Sequence, residues 1–80
     1  MKVLFFGIAK DIVGSSEMNW STGVQKTSTV GALKTQLYAQ YPELSRLSSL
    51  AVAVNSEYAN DGVTLGSTDE IAIIPPVSGG

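Results

Sequence analysis

The sequence predicts an α+β fold, a mixed sheet with one main helix packed across it. Three observations carry this. The chain opens and nearly closes on apolar, β-prone runs, Val3–Ala9 and Ile71–Ile74. A single helical period lies between them. Two consecutive prolines, Pro75-Pro76, stop the last run.

Residues 2–9 (KVLFFGIA) form a near-continuous apolar run, as expected of a central strand covered on both faces. Gly14-Ser15-Ser16 breaks the chain, and residues 17–24 (EMNWSTGV) alternate weakly as a second, edge strand. The two make a hairpin with a long loop, since no two-residue Asn-Gly turn joins them. Thr29 is a fitting N-cap. Val30, Leu33, Leu37 and Tyr41 follow at helical spacing and share a face. Pro42 ends the helix, and a short turn follows with Leu44 and Leu47 pointing inward. Residues 51–55 (AVAVN) read as a third strand, Asn60-Asp61-Gly62 as a turn, and Val63-Thr64-Leu65 as a short strand or turn. The order is β-β-α-β-(β)-β. The most apolar strands, first and last, belong side by side at the centre, as in a ubiquitin-like β-grasp, and the order alone leaves other small α+β folds open. Residues 1–75 would form that domain and 76–80 a flexible Gly-Gly tail.

Composition removes several chemistries. The 80 residues include no Cys and no His. Disulfides, thiolate nucleophiles, zinc fingers, imidazole bases and the usual transition-metal sites are excluded. The net charge of -2 and the lack of a basic cluster argue against nucleic acid. No apolar run approaches the length of a membrane span. Lys2 and the run after it mimic a short signal peptide, but Lys10-Asp11 follows directly, so a cytoplasmic protein is expected. Only 15% of residues are charged, against about 25% in typical domains, so exposed apolar surface and a protein partner are expected.

The two central strands sharpen that expectation. Val3 and Phe5 alternate with Leu4, Phe6 and Ile8, and Ile71 and Ile73 with Ala72 and Ile74. One helix covers one face, leaving Phe6 and Ile74 exposed for docking; the sequence leaves open which parity faces the helix. Other features read as structure. Asp69-Glu70 is a solvated turn, and Gly7 marks a bulge, a close approach or a tight helix–sheet contact. Trp20, Tyr38, Tyr41 and Tyr58 are packing residues, and Lys10 is a loop charge able to pair with an acidic partner.

The last six residues are the most informative stretch. Fraying is the commonest fate of a chain end, yet a random chain ends in Gly-Gly only about 0.5% of the time at ~7% Gly usage. Pro75 and Pro76 stiffen the exit from the last strand. Six residues reach ~20 Å at ~3.3 Å each. Gly79 and Gly80 fit a channel too narrow for any side chain. A terminal carboxylate becomes electrophilic as an acyl adenylate, and a sulfur or amine nucleophile can then be attached. With no nucleotide-binding loop in the chain, activation falls to a separate ATP-using enzyme.

The opening Val3-Leu4-Phe5-Phe6 resembles that of MoaD-type sulfur carriers, the small subunits of molybdopterin synthase. So do Thr29-Val30 with Leu33, Val52-Ala53-Val54-Asn55 with Glu57-Tyr58, Asp69-Glu70-Ile71-Ala72, and the ending Pro75-Pro76-Val77-Ser78-Gly79-Gly80. The resemblance spans essentially the whole chain. It implies a β-grasp fold, an E1-like adenylyltransferase that activates Gly80, a sulfur donor enzyme, and a C-terminal thiocarboxylate. It also implies delivery of sulfur to cyclic pyranopterin monophosphate in the large subunit of a heterotetramer. No bound cofactor and no metal are implied, and the active site belongs to the large subunit. Pro75, Pro76, Val77, Ser78 and Gly79 would be the inserting tail, and Phe6, Ile74 and Lys10 the partner contacts. Arg is frequent in the family where Lys10 stands, Phe is frequent near Ile73 and Ile74, and Gly commonly stands where Thr68 does. A carrier for thiamine or tRNA thiolation, a ubiquitin-like protein modifier, and a plain interaction domain are the alternatives.

Overall fold

A computed structural model describes residues 1–20, 29–47 and 50–76. Its five strands are β1 (Lys2–Phe5), β2 (Glu17–Asn19), β3 (Ala51–Val54), β4 (Glu57–Tyr58) and β5 (Glu70–Ile74). Also among the described residues are two α-helices, α1 (Gly7–Val13) and α2 (Val30–Gln40), and a 3-10 helix, Pro42–Arg46. The sheet order is β2-β1-β5-β3-β4. The most apolar strands, β1 and β5, are central, adjacent and parallel; every other pairing is antiparallel. The sheet is therefore mixed, as expected.

The registers decide the parity that the sequence left open. Val3 opposes Ile71 and Phe5 opposes Ile73 across β1 and β5. These four are buried in one cluster with Val30, Leu33 and Leu37 of α2 and Leu44 of the 3-10 helix. Odd-numbered residues of β1 and β5 thus face α2, and even-numbered ones face away. Thr29 caps α2 as predicted: its Oγ1 accepts a hydrogen bond from the Ala32 N–H at 3.2 Å. The carbonyls of Val63 and Asp61 accept from the N–H groups of Val30 and Gly31 at 3.0 and 2.9 Å. Tyr41 is half-buried at the end of the stripe, as is Leu47 after the 3-10 helix.

Four expectations are corrected. The apolar run 2–9 is not one strand. β1 stops at Phe5, and the chain turns at Gly7, whose φ of 53° lies in the left-handed region. Gly7–Val13 then coils into α1, closed by Gly14 at φ 83°, whose N–H donates to the Lys10 carbonyl. Lys10 is a helix residue, not a loop charge. Secondly, the fourth strand is Glu57–Tyr58. Asn55 and Ser56, with φ 50° and 72°, form the two-residue turn that pairs Val54 with Glu57. Asn55 therefore belongs to a turn, and residues 63–65 form no strand: Thr64 makes a single bridge to Thr29 and Leu65 packs into the core. Thirdly, Asp69 is held, not merely solvated, while Glu70 opens β5. The Asp69 carboxylate accepts from the Gly66 N–H at 2.7 Å and from the Asn55 amide at 2.9 Å. These two donors pull its pKa below the ordinary aspartate value, Gly66 the more strongly. Finally, Tyr58 is not packing: it is 78% exposed, whereas Trp20 is buried and Tyr38 is half-buried. The predicted second strand ends at Asn19, and residues 21–24 of it lie outside the described residues.

Candidate docking face and base of the tail

Because strand pairing fixes side-chain parity, the face turned away from α2 can be read off row by row. One row runs Glu17, Leu4, Ala72, Ala53, Tyr58 across all five strands. Ile74 and Ala51 form the next row toward the tail. Lys2 with Glu70 and Asn19 forms a polar border on the other side. Leu4, Ala72 and Ile74 are half-buried, and Tyr58 stands at the far edge. From Leu4 to Tyr58 is three strand spacings, ~14 Å. The alanines keep the middle low, so the face is a shallow apolar tray with a raised rim.

The predicted contact residues gather at the tail end of this tray. Phe6 sits at the β1–α1 junction and is 48% exposed; its N–H donates to the Ile73 carbonyl at 3.3 Å, extending the β1–β5 pairing by one residue. Ile74 ends β5 and leads into Pro75. Gly7 faces Pro75 so closely that a Cβ on it would lie 3.2 Å from the proline Cγ. Of the readings open for Gly7, this is the close approach. Lys10, one helical turn further on, is exposed. Leu4, Phe6, Gly7, Lys10 and Glu17 line a hollow of about 420 Å³ beside the tail's exit. Pro75 and Pro76 are half-buried; Val77, Ser78, Gly79 and Gly80 lie outside the described residues.

Two contributors were missed in the sequence. Ile8, expected on the strand face, lies on α1 and is 50% exposed beside Phe6. Tyr58, expected as a core or half-buried packing residue, is 78% exposed, and its position in a strand right after a turn is the signal for an edge. Among the described residues, no three His, Cys, Asp or Glu side chains gather as metal ligands. No helix among them is long and apolar enough to cross a membrane. The described surface thus carries an apolar tray beside the half-buried Pro75 and Pro76.

Among the described residues, a mixed five-stranded sheet packed on one main helix, with its last central strand running into a diproline, defines a ubiquitin-like β-grasp protein. The chain belongs to the ThiS family, whose model matches residues 3–80. It is 39% identical over 83 residues to the molybdopterin synthase sulfur carrier subunit of Caenorhabditis briggsae, covering 100% of this chain and 96% of that protein. It is 35% identical over 81 residues to the Arabidopsis thaliana protein of the same name, covering 100% and 82%. Among solved structures, SAMP1 from Haloferax volcanii, a small archaeal modifier protein, matches with a TM-score of 0.80 at 29% identity, covering 100% of this chain and 98% of that one.

Proposed function

We propose that this protein is the sulfur carrier subunit of a molybdopterin synthase, with the reactive atom on Gly80. The observation that carries the reading is full-length similarity to sulfur carrier subunits, extending through the Gly-Gly end. It is supported by a fold that puts an apolar tray and the tail's exit on one side of the molecule.

In this reading an E1-like adenylyltransferase joins the Gly80 carboxylate to AMP from ATP, releasing pyrophosphate. Hydrosulfide delivered by a donor enzyme adds at the acyl carbon and AMP leaves, giving the thiocarboxylate. Pro75 and Pro76 aim the tail, and Val77, Ser78 and Gly79 thread into the large subunit. There a pterin carbon takes the sulfur as the acyl C–S bond breaks and water restores the Gly80 carboxylate, so two loaded carriers supply the two sulfurs of the dithiolene made from cyclic pyranopterin monophosphate. Phe6 and Ile74 anchor the large subunit, and Lys10 meets an acidic group on it. Two carriers and two large subunits make the heterotetramer, in the cytoplasm. The acid–base groups are the large subunit's, so the carrier alone has no activity. No cofactor or metal is held by this chain; sulfur is its covalent cargo.

A second reading, a protein modifier joined by Gly80 to lysine amines, is favoured by the likeness to a small archaeal modifier protein. Reconstituted dithiolene synthesis separates the two. The full chain with large subunit, activating enzyme, ATP and sulfur donor forms molybdopterin, and a chain lacking Gly79-Gly80 forms none. Unchanged synthesis by the shortened chain sinks the carrier reading. A ladder of larger conjugates that disappears with the same deletion, with no dithiolene formed, establishes the modifier.

A further inference from the structure

α1 stands as a ridge between two hollows. On one flank Gly7 and Lys10 line the hollow next to Phe6. On the other flank are Ile8, Asp11 and Ile12, whose spacing of three and four puts them on one helix face. They meet Glu43, Arg46 and Leu47, spaced the same way along the 3-10 helix and its cap. These six residues line a groove of about 530 Å³. Its apolar lining is Ile8, 50% exposed, with the half-buried Ile12 and Leu47. Its charged lining is Asp11, Glu43 and Arg46, all exposed.

The charges here are unmatched. Lys2 lies 3.9 Å from Glu17 and Lys34 lies 3.0 Å from Asp61, whereas among the described residues Asp11, Glu43 and Arg46 have no opposite charge within ion-pair distance. Two carboxylates against one guanidinium make the groove net negative, and Lys10 makes the other flank of the ridge positive. Opposite signs on the two flanks of one helix suit a partner that straddles it, acidic on the Lys10 side and basic on the groove side. The apolar lining suits an apolar side chain next to that basic group. The groove is also continuous with the docking face, since Ile8 forms its lip and stands beside Phe6 at the tail end of the tray.

We propose that the large subunit grips α1 from both sides, seating in this groove a segment that carries an apolar side chain next to a Lys or Arg. The apolar side chain packs on Ile8, Ile12 and Leu47. The cation meets the carboxylates of Asp11 and Glu43, and Arg46 takes an acidic neighbour. The inference rests on the carrier reading and extends its interface beyond Phe6, Ile74 and Lys10. The groove's charges govern partner choice and rate of encounter more than affinity, because rim charges steer approach and reject like charge.

Binding of the full-length carrier to the large subunit tests this by calorimetry and stopped-flow kinetics. Ile8→Ala is expected to raise Kd about fivefold to thirtyfold. It should move the unfolding midpoint little, since Ile8 is half exposed in the fold. Asp11→Asn combined with Glu43→Gln should slow association about twofold to fivefold at low salt and flatten its fall with added salt. Hydrogen exchange gives a readout without any substitution: amides of residues 8–12 and 43–47 should be protected in the complex. Wild-type binding by both variants, or exchange in those segments that the large subunit leaves unchanged, overturns the proposal and leaves the carrier reading standing. Variants that bind the large subunit normally but are no longer adenylated also overturn it, and assign the groove to the activating enzyme. A wild-type chain that fails to bind the large subunit sinks the carrier reading, and the groove's assignment with it.

Discussion

The two faces of the sheet are built from alternate residues of the same strands, yet they do different work. On the inner face Val3, Phe5, Ile71 and Ile73 are fully or almost fully buried against α2. On the outer face Leu4, Ala72 and Ile74 are half-buried, and Phe6 and Tyr58 at its margins are exposed. Both sets are apolar. The inner set is large and fills volume; the outer set is low in the middle and high at the rim, and its apolar side chains stay open to solvent. Neighbouring residues should therefore fail in opposite ways when truncated.

Phe5 and Phe6 give the sharpest contrast. Phe5→Ala should cost about 3–5 kcal/mol of folding stability in denaturant unfolding, since it empties a closed core. Phe6→Ala should leave the unfolding midpoint nearly unchanged and weaken large-subunit binding by about 1–3 kcal/mol in calorimetry. Severe unfolding with intact affinity would show the faces to be reversed. Ile73 and Ile74 repeat the test one strand away: Ile73→Ala should cost about 2–5 kcal/mol of stability, and Ile74→Ala far less. Thr29→Ala removes the α2 cap and should cost about 1 kcal/mol of stability, with no effect on binding. The smallest effect is expected at Asp69. Its pKa is lowered in the fold by the Gly66 N–H and the Asn55 amide, so the unfolded chain takes up a proton first as pH falls. The stabilisation is complete above the ordinary aspartate range and is lost as pH drops through the lowered value. Asp69→Asn should flatten that acid limb of the stability–pH curve; an unchanged limb would mean that the turn makes no use of the charge.

The same comparison explains what was legible in the sequence. β1, β3, β5 and α2 announce themselves by composition and period, and Thr29 by its place before the helical stripe. The faces did not, because Val3/Phe5 and Leu4/Phe6 are equally apolar and only the position of α2 separates them. α1 was hidden because the apolar run crosses from strand into helix without a polar break. Gly7 followed seven residues later by Gly14 is the trace it left: one positive φ to turn in, one to cap. β4 was hidden by its length of two residues and by a turn built from Asn55-Ser56, where Gly is the usual signal. The expectation of Phe6, Ile74 and Lys10 as partner contacts rests on surplus apolar surface, a loop charge and the family resemblance, and the fold brings the three to one end of the tray. Ile8 and Tyr58 were missed because their exposure follows from α1 and β4.

The most direct measurement is the intact mass of the protein after incubation with an activating enzyme, ATP and a sulfur donor. Sulfur loading gives a gain equal to the difference between sulfur and oxygen, placed on Gly80 by fragmentation and lost on treatment that hydrolyses thioacids. An unchanged mass, with the activating enzyme shown to work on another carrier, would contradict it.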